Sequence, residues 1–120
     1  MCGIVGLFIK DKALEPRLGE LTAQMLATMC ERGPDSAGFA VYGDAEDGKA
    51  KLTVQSARAD QDFAGLDAAL SKAIGAPVEI ERKSSHAVLT VPADKADAAR
   101  AAIKADHPGV RIMSAGETIE

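Results

Sequence analysis

The residue with the clearest chemical potential in this sequence is Cys2, which directly follows the initiator Met1. If Met1 is removed, residue 2 carries both a thiol and a free α-amino group. Such a residue can attack an acyl group with its sulfur while its own amine shuttles the proton. The pattern predicts a nucleophile at the N-terminus. The alternative is a mobile, chemically idle terminus, as most termini are.

A second candidate for chemistry is the glycine-punctuated segment 31–38, which reads Glu-Arg-Gly-Pro-Asp-Ser-Ala-Gly. Arg32 offers a planar guanidinium that can hold a carboxylate or carbonyl oxygen through two hydrogen bonds. Together with Asp35 and the backbone amides of a tight corner, it could bind a small polar ligand. The alternative is an ordinary helix stop and turn, in which Asp35 and Ser36 bond to local amides.

The elements predicted around these residues are two strands and one helix. The apolar run 2–9 predicts a buried strand, and 37–42 predicts a second strand that pairs with a return strand at 51–57. Between them, apolar residues recur with the spacing of one helix face, with Pro16 in the first turn. Gly33-Pro34 is the predicted end of that helix. Its apolar face consists of Leu18, Leu21, Met25, Leu26 and Met29.

The second half of the chain has the pattern of a small α/β unit. The first predicted element is a helix that ends at Gly75, and it is followed by two strands at 78–81 and 87–91. A second helix is predicted at 94–106, with Asp94 as its cap. The last predicted element is a strand at 109–113, with Val110 and Ile112 inward. With the strand at 51–57, the order is β-α-β-β-α-β, which is that of the ferredoxin-like split βαβ arrangement. The first helix is marked by Phe63, Leu66, Leu70, Ala73 and Ile74.

Composition excludes several classes of protein. The 120 residues carry a net charge of −4 without a basic cluster, and only 3% are aromatic, so nucleic acid is not an expected partner. No apolar run approaches the ~18 residues of a membrane span, and the pattern of the first residues predicts no secretory leader. With two cysteines and no disulfide framework, we expect a cytoplasmic enzyme or enzyme subunit. Cys30 is interpreted as a buried or half-buried inert thiol rather than a second catalytic one.

No metal or other cofactor is expected. The two histidines, His86 at the start of a strand and His107 at a helix C-terminus, lie about 20 residues apart without a third ligand. The acidic loop 44–48 lacks the ligand periodicity of an EF-hand and is interpreted as a solvated turn.

Taken together, Met1-Cys2-Gly3-Ile4-Val5-Gly6 and the later segment 32–38 resemble the start of the class II glutamine amidotransferases. These are N-terminal nucleophile (Ntn) hydrolases with a four-layer αββα fold. The resemblance covers residues 1–43. Within the family, the chain is most similar to the amidotransferase-like subunits of glutamate synthase-type complexes, including N-methylglutamate synthase.

The resemblance implies that Cys2 attacks the side-chain amide of glutamine and that the freed ammonia passes to a synthase subunit of a hetero-oligomeric complex. Arg32 matches the family's arginine and would brace the corner beside the nucleophile. The other residues that match the motif and would shape that corner are Gly33, Asp35, Ser36 and Gly38.

The sequence also departs from the family. The family's oxyanion hole uses an Asn-Gly pair, whereas this chain contains no Asn, and the family's downstream strand that holds the substrate α-carboxylate has no counterpart here. Loss of an oxyanion donor costs about 10²–10³ in rate. We therefore expect an α+β chain: the N-terminal part of an Ntn domain at 1–50, a ferredoxin-like insertion or accessory segment at 51–115, and the start of a continuation at 116–120.

Two functional hypotheses follow. The first is a glutamine-hydrolysing ammonia donor with Cys2 as nucleophile. The second is a non-catalytic regulatory or subunit-docking module that lacks a complete active site.

Overall fold

The computed structural model describes residues 3–30 and 37–119. Five of the predicted site residues lie outside the described ranges: Cys2, Arg32, Gly33, Asp35 and Ser36. The chain divides into two compact units, residues 1–39 and 40–120. Each unit is considered by itself below.

In the described part of the first unit, the chain forms a 3₁₀ turn at Lys12–Arg17 that continues as helix α1, Leu18–Ala27. The Asp11 carboxylate starts it by accepting a hydrogen bond from the Ala13 N–H at 3.0 Å. The predicted apolar face is confirmed for Leu18, Leu21, Met25 and Leu26, which are half-buried in α1. Met29 is also half-buried, but it lies in the turn that follows the helix.

The predicted end of this helix at Gly33-Pro34 is wrong, because α1 ends at Ala27. The Thr28 hydroxyl donates to the Met25 carbonyl at 2.8 Å, and the Met29 N–H donates to the Leu26 carbonyl at 2.9 Å. Both bonds reach back three residues, so they tighten the last turn and end the α-helical ladder before the glycine is reached.

The two strands predicted in the first 42 residues are wrong for the residues described. Residues 3–10 form no strand, with Ile4 96% and Phe8 83% exposed. Residues 37–41 form none either, and only Tyr42 makes an isolated bridge, to Ile119. An apolar run becomes a strand only when its N–H and C=O groups find a neighbouring strand. Among residues 3–30 and 37–119, nothing pairs with 3–10 in this way.

The second unit is built on a four-stranded antiparallel sheet with the order β2-β3-β1-β4. The strands are β1 Lys49–Gln55, β2 Glu79–Lys83, β3 His86–Pro92 and β4 Arg111–Gly116. The helices are α2 Ala59–Asp62, α3 Leu66–Ile74 and α4 Ala96–Asp106. The β-α-β-β-α-β order of elements is confirmed. The return strand predicted at 51–57 exists as β1, but it pairs with β3 and β4 rather than with 37–42.

The core of this unit lies between the sheet and helices α3 and α4. Leu52 and Val54, which share one face of β1, are both fully buried. Of the helix positions predicted from spacing, Ala73 alone is exposed. The buried apolar residues that form the core are Leu52, Val54, Phe63, Leu66, Leu70, Ile74, Val78, Ala87, Leu89, Val91, Ala99, Ile103 and Val110.

Two local details of the helices differ from expectation. The predicted single helix is split into α2 and α3 by Gly65, whose φ of 71° is left-handed, while Gly75, with φ of 65°, ends α3 as predicted. The predicted Asp94 cap is wrong. Asp94 lies inside a 3₁₀ turn, Ala93–Lys95, so Lys95 occupies the cap position of α4, without a side-chain cap hydrogen bond.

In the described ranges, no helix has both the length and the apolar character needed to cross a membrane.

Candidate functional site

Gly38 is the one residue of the predicted site that the structure describes. It is exposed and lies outside any helix or strand. For the other predicted site residues, the structure describes only their neighbours in the chain. These are Gly3, which follows the candidate nucleophile, and residues 28–30, which lead into segment 31–38.

These two borders of the site meet at a contact between Gly3 and Met29. A Cβ atom built on Gly3 would overlap Cε of Met29 and lie 3.7 Å from its sulfur. The methyl end of the flexible Met29 side chain therefore lies beside Gly3, where a larger residue at position 3 would push it aside. The contact joins Gly3 to the turn that follows α1, two residues before segment 31–38 begins.

Cys30 lies beside this contact but has the features of an unreactive thiol. It is exposed, and its Sγ donates a long hydrogen bond of 3.6 Å to the Leu26 carbonyl, within its own turn. A thiol becomes a strong nucleophile when a nearby cation or a helix N-terminus favours the thiolate. Cys30 instead follows the C-terminal end of α1, where the helix dipole disfavours an anion.

A polar cluster in the second unit has no counterpart in the sequence prediction. The Ser56 hydroxyl donates to Asp62 Oδ2 at 2.5 Å and accepts from the Arg58 N–H at 2.9 Å, and the Arg58 guanidinium lies 3.5 Å from Asp62 Oδ1. The Ser56 N–H also donates to the Ser85 carbonyl. These bonds join the end of β1, helix α2 and the β2–β3 turn. A shallow cavity of about 440 Å³ beside the cluster is lined by the same segments.

Neither histidine belongs to a metal cluster within the described part of the chain, where no three His, Cys, Asp or Glu side chains come together. His86 begins β3, with its Nδ1 at 3.0 Å from the Ser85 hydroxyl, and His107 follows α4 as predicted.

One relative among known proteins matches the whole length of this chain. The chain is 53% identical over all 120 residues to the glutamine amidotransferase-like protein GlxB of Rhizobium meliloti. The likeness is to a protein named for glutamine amidotransfer. The chain spans 40% of the length of that relative.

A second relative matches a shorter part of the chain. A protein of Methanothermobacter thermautotrophicus, described as a candidate glutamine amidotransferase, is 51% identical over 43 residues, which are 36% of this chain and 14% of that protein. No family model matches the chain, and no solved structure matches it significantly. Both relatives carry names that refer to glutamine amidotransferases.

Sequence reasoning did not identify Met29 as a residue of interest, because its spacing fitted a core position of α1. The signal that could have found it is Gly3. A glycine directly after a candidate nucleophile indicates either a special backbone angle or a close approach by another group.

Proposed function

We propose that this chain is the N-terminal part of a class II glutamine amidotransferase, and that Cys2 is its nucleophile. The observation that carries the proposal is the 53% identity over the whole chain to a relative named as glutamine amidotransferase-like. The position of Cys2 directly after Met1 supplies the chemistry. Because the chain spans 40% of that relative, the proposed activity is that of the whole protein.

The proposed reaction begins when Met1 is removed. An unperturbed α-amino group titrates near about 8 and a thiol near about 8.5, so the two can exchange a proton close to neutral pH. The amine of Cys2 takes the thiol proton, and the sulfur attacks the carbonyl carbon of the glutamine side chain. The amine then returns the proton to the nitrogen as the C–N bond breaks. Ammonia leaves, and a γ-glutamyl thioester stays on Cys2.

Hydrolysis completes the proposed cycle. Water attacks the thioester carbon and gives one proton to the α-amino group. The C–S bond breaks, glutamate leaves, and the proton returns to the sulfur. We further propose that Arg32, Gly33, Asp35, Ser36 and Gly38 shape the corner beside the nucleophile, and that a synthase subunit uses the ammonia.

The fold assignments belong to the same proposal. The β-α-β-β-α-β order and the sheet order β2-β3-β1-β4 support a ferredoxin-like unit in the second half of the chain. For the first unit we propose the beginning of an αββα domain whose strands pair with parts of the protein outside this chain. The exposure of Ile4 and Phe8 supports this, since large apolar side chains are seldom left so open without a partner.

The test uses the full-length natural protein, with release of glutamate from glutamine as the assay. Intact mass shows first whether Met1 is removed. The Cys2→Ala variant is expected to lose glutamate release, and the matched control Cys30→Ala, which changes the chain's other cysteine, is expected to keep it. Glutamate release that survives Cys2→Ala would overturn the proposal.

A non-catalytic docking or regulatory module is the second candidate. It is favoured by the second unit, which buries an apolar core of its own, and by the lack of any Asn that could serve in an oxyanion hole. Glutamine turnover by the 120-residue chain alone would exclude it, as would labelling of Cys2 in that chain by a glutamine-mimicking electrophile.

A further inference from the structure

We propose that the outer edge of β4, the edge that faces away from β1, binds a strand from the part of the full-length protein that lies outside these 120 residues. The inference rests on one part of the proposed function, namely that this chain belongs to a longer protein. It adds the surface through which the second unit attaches to the remainder of that protein.

The backbone of β4 is open on one side. The sheet order β2-β3-β1-β4 makes β4 an edge strand, and it pairs with β1 alone. In the part of the chain that the structure describes, no other segment forms a backbone hydrogen bond with residues 111–116. Alternate residues of an antiparallel strand turn their N–H and C=O groups away from the neighbouring strand. The outer edge of β4 therefore presents donors and acceptors to which a further strand can bind.

The other edge strand, β2, is protected against such pairing, whereas β4 is not. Four of the five residues of β2 are charged: Glu79, Glu81, Arg82 and Lys83. Charges along an edge oppose the addition of a strand, because pairing would remove them from water. β4 has one charged residue, Arg111 at its start, and continues as Ile-Met-Ser-Ala-Gly. Met113, in its middle, is 53% exposed. The composition of β4 is thus suited to a covered edge.

A bulge in β4 favours a strand of different sequence over a second copy of β4. Thr53 lies opposite Ser114, but the next residue of β1 lies opposite Ile112. Met113 is therefore an extra residue, and the alternation of faces along β4 is broken there. If two copies of β4 paired across this bulge, residues opposite each other would point to different faces of the sheet. Regular self-pairing is limited to residues 114–116.

The full-length protein has enough further chain to supply the strand. The relative that matches all 120 residues is matched over only 40% of its own length, so most of that relative lies outside the region. A strand in the same polypeptide is held near the edge at a high effective concentration. Because the strand meets uncharged side chains, including the exposed thioether of Met113, we expect small or apolar residues opposite that position.

Hydrogen–deuterium exchange, read residue by residue in the full-length natural protein, tests the docking. The control is β2, the other edge of the same sheet. The amides of β4 that point away from β1 are expected to exchange at least about tenfold more slowly than the outward amides of β2. The reason is that a paired amide exchanges only after its strand opens.

A charge placed on the edge of β4 should abolish this difference. Met113→Lys is expected to bring the exchange of the outward β4 amides to the rate of β2, whereas the matched control Glu81→Lys, on β2, is expected to leave it slow. Ala115→Glu is a second variant at the same edge, since Ala115 is also exposed. Amides of the central strand β1 report in each variant whether the sheet is intact.

Outward amides of β4 that exchange as fast as those of β2 in the wild-type protein would overturn the inference. Slow exchange that both Met113→Lys and Ala115→Glu leave unchanged would do the same. Slow exchange that depends on protein concentration, together with a dimer in light scattering, would identify a second copy as the occupant and refute the one proposed.

Failure of the docking can be told apart from failure of the proposed function. Exchange does not require turnover, so a protein with slow β4 exchange but without glutaminase activity would refute the glutaminase activity alone. Fast β4 exchange in an active protein would refute the docking alone. An intact mass equal to that of 120 residues would refute both the longer protein and the docking.

Discussion

Thr53 of β1 and Ser114 of β4 lie directly opposite each other in neighbouring strands. The hydroxyl oxygen of each is buried and has no hydrogen-bond partner among the described residues. They lie on the face of the sheet opposite the one that carries Leu52 and Val54, because side chains alternate along a strand. The two hydroxyls thus lose their hydration without gaining a bond in return.

Replacing Thr53 by valine is expected to raise the free energy of unfolding by about 1 kcal/mol. Valine has nearly the same shape, and the change removes a buried polar group whose desolvation costs about 1–3 kcal/mol. Urea unfolding measures the difference, and Ser114→Ala should have an effect of the same sign. A loss of stability in both variants would show that the hydroxyls are hydrogen-bonded in solution.

Replacing Ser56 by alanine is expected to have the opposite effect. The Ser56 hydroxyl donates to Asp62 at 2.5 Å and accepts from the Arg58 N–H, so its removal leaves a carboxylate and an amide without their partner. The expected loss is about 1–3 kcal/mol in the free energy of unfolding. A double-mutant cycle with Asp62→Ala isolates the pair, and additive losses would contradict the described bond.

The two units should differ in their response to truncation of an apolar side chain. Phe63 is fully buried, and Phe63→Ala is expected to cost about 3–5 kcal/mol because it leaves a cavity. Leu21 in α1 is half-buried, so Leu21→Ala should cost clearly less in this 120-residue chain. Unfolding followed by circular dichroism compares them, and equal losses would mean that α1 is covered more completely than described.

The Glu46–Lys49 ion pair should be visible as a pH effect at the start of β1. A hydrogen bond that Lys49 donates to Glu46, at 2.8 Å, lowers the pKa of the Glu46 carboxyl. The same bond, with a second one that Lys49 donates to Glu79, raises the pKa of Lys49. Because the pKa of Glu46 is lowered, the pair stabilises the folded state at pH values above the ordinary pKa of a carboxyl group. This stabilisation is lost as the pH falls through the pKa that Glu46 has in the folded state. Because the pKa of Lys49 is raised, its contribution to stability is present at pH values below the ordinary pKa of a lysine and is lost as the pH rises through the pKa that Lys49 has in the folded state.

An NMR titration of the Glu46 carboxyl carbon checks this. The Lys49→Gln variant is expected to bring the pKa of Glu46 back toward its ordinary value, whereas Lys104→Gln in α4 is expected to leave it unchanged. Salt at about 1 M should weaken the shift, because exposed pairs are screened. An unshifted pKa in wild type at low salt would contradict the pair.

Much of the second unit could be predicted because its signals are local. Helical spacing identified Leu66 and Leu70, which are buried, and Gly75 marked the end of α3. Periodicity indicates which face of an element is apolar, and in this unit the apolar faces of β1, α3 and α4 meet in one buried core. Which strands are neighbours was not predictable in the same way: β1 lies between β3 and β4, both distant in sequence.

The first unit shows where the same reasoning fails. Residues 3–9 have the composition of a strand and form none, because composition does not supply a partner for the backbone. The sequence by itself determined the candidate nucleophile, the helix face of α1 and the order of elements after residue 49, since each follows from residue type and short-range spacing. Only the tertiary structure decided that Met29 fills the space beside Gly3 and that Thr53 and Ser114 share a buried site. Both are contacts between residues far apart in the chain, and no local pattern encodes them.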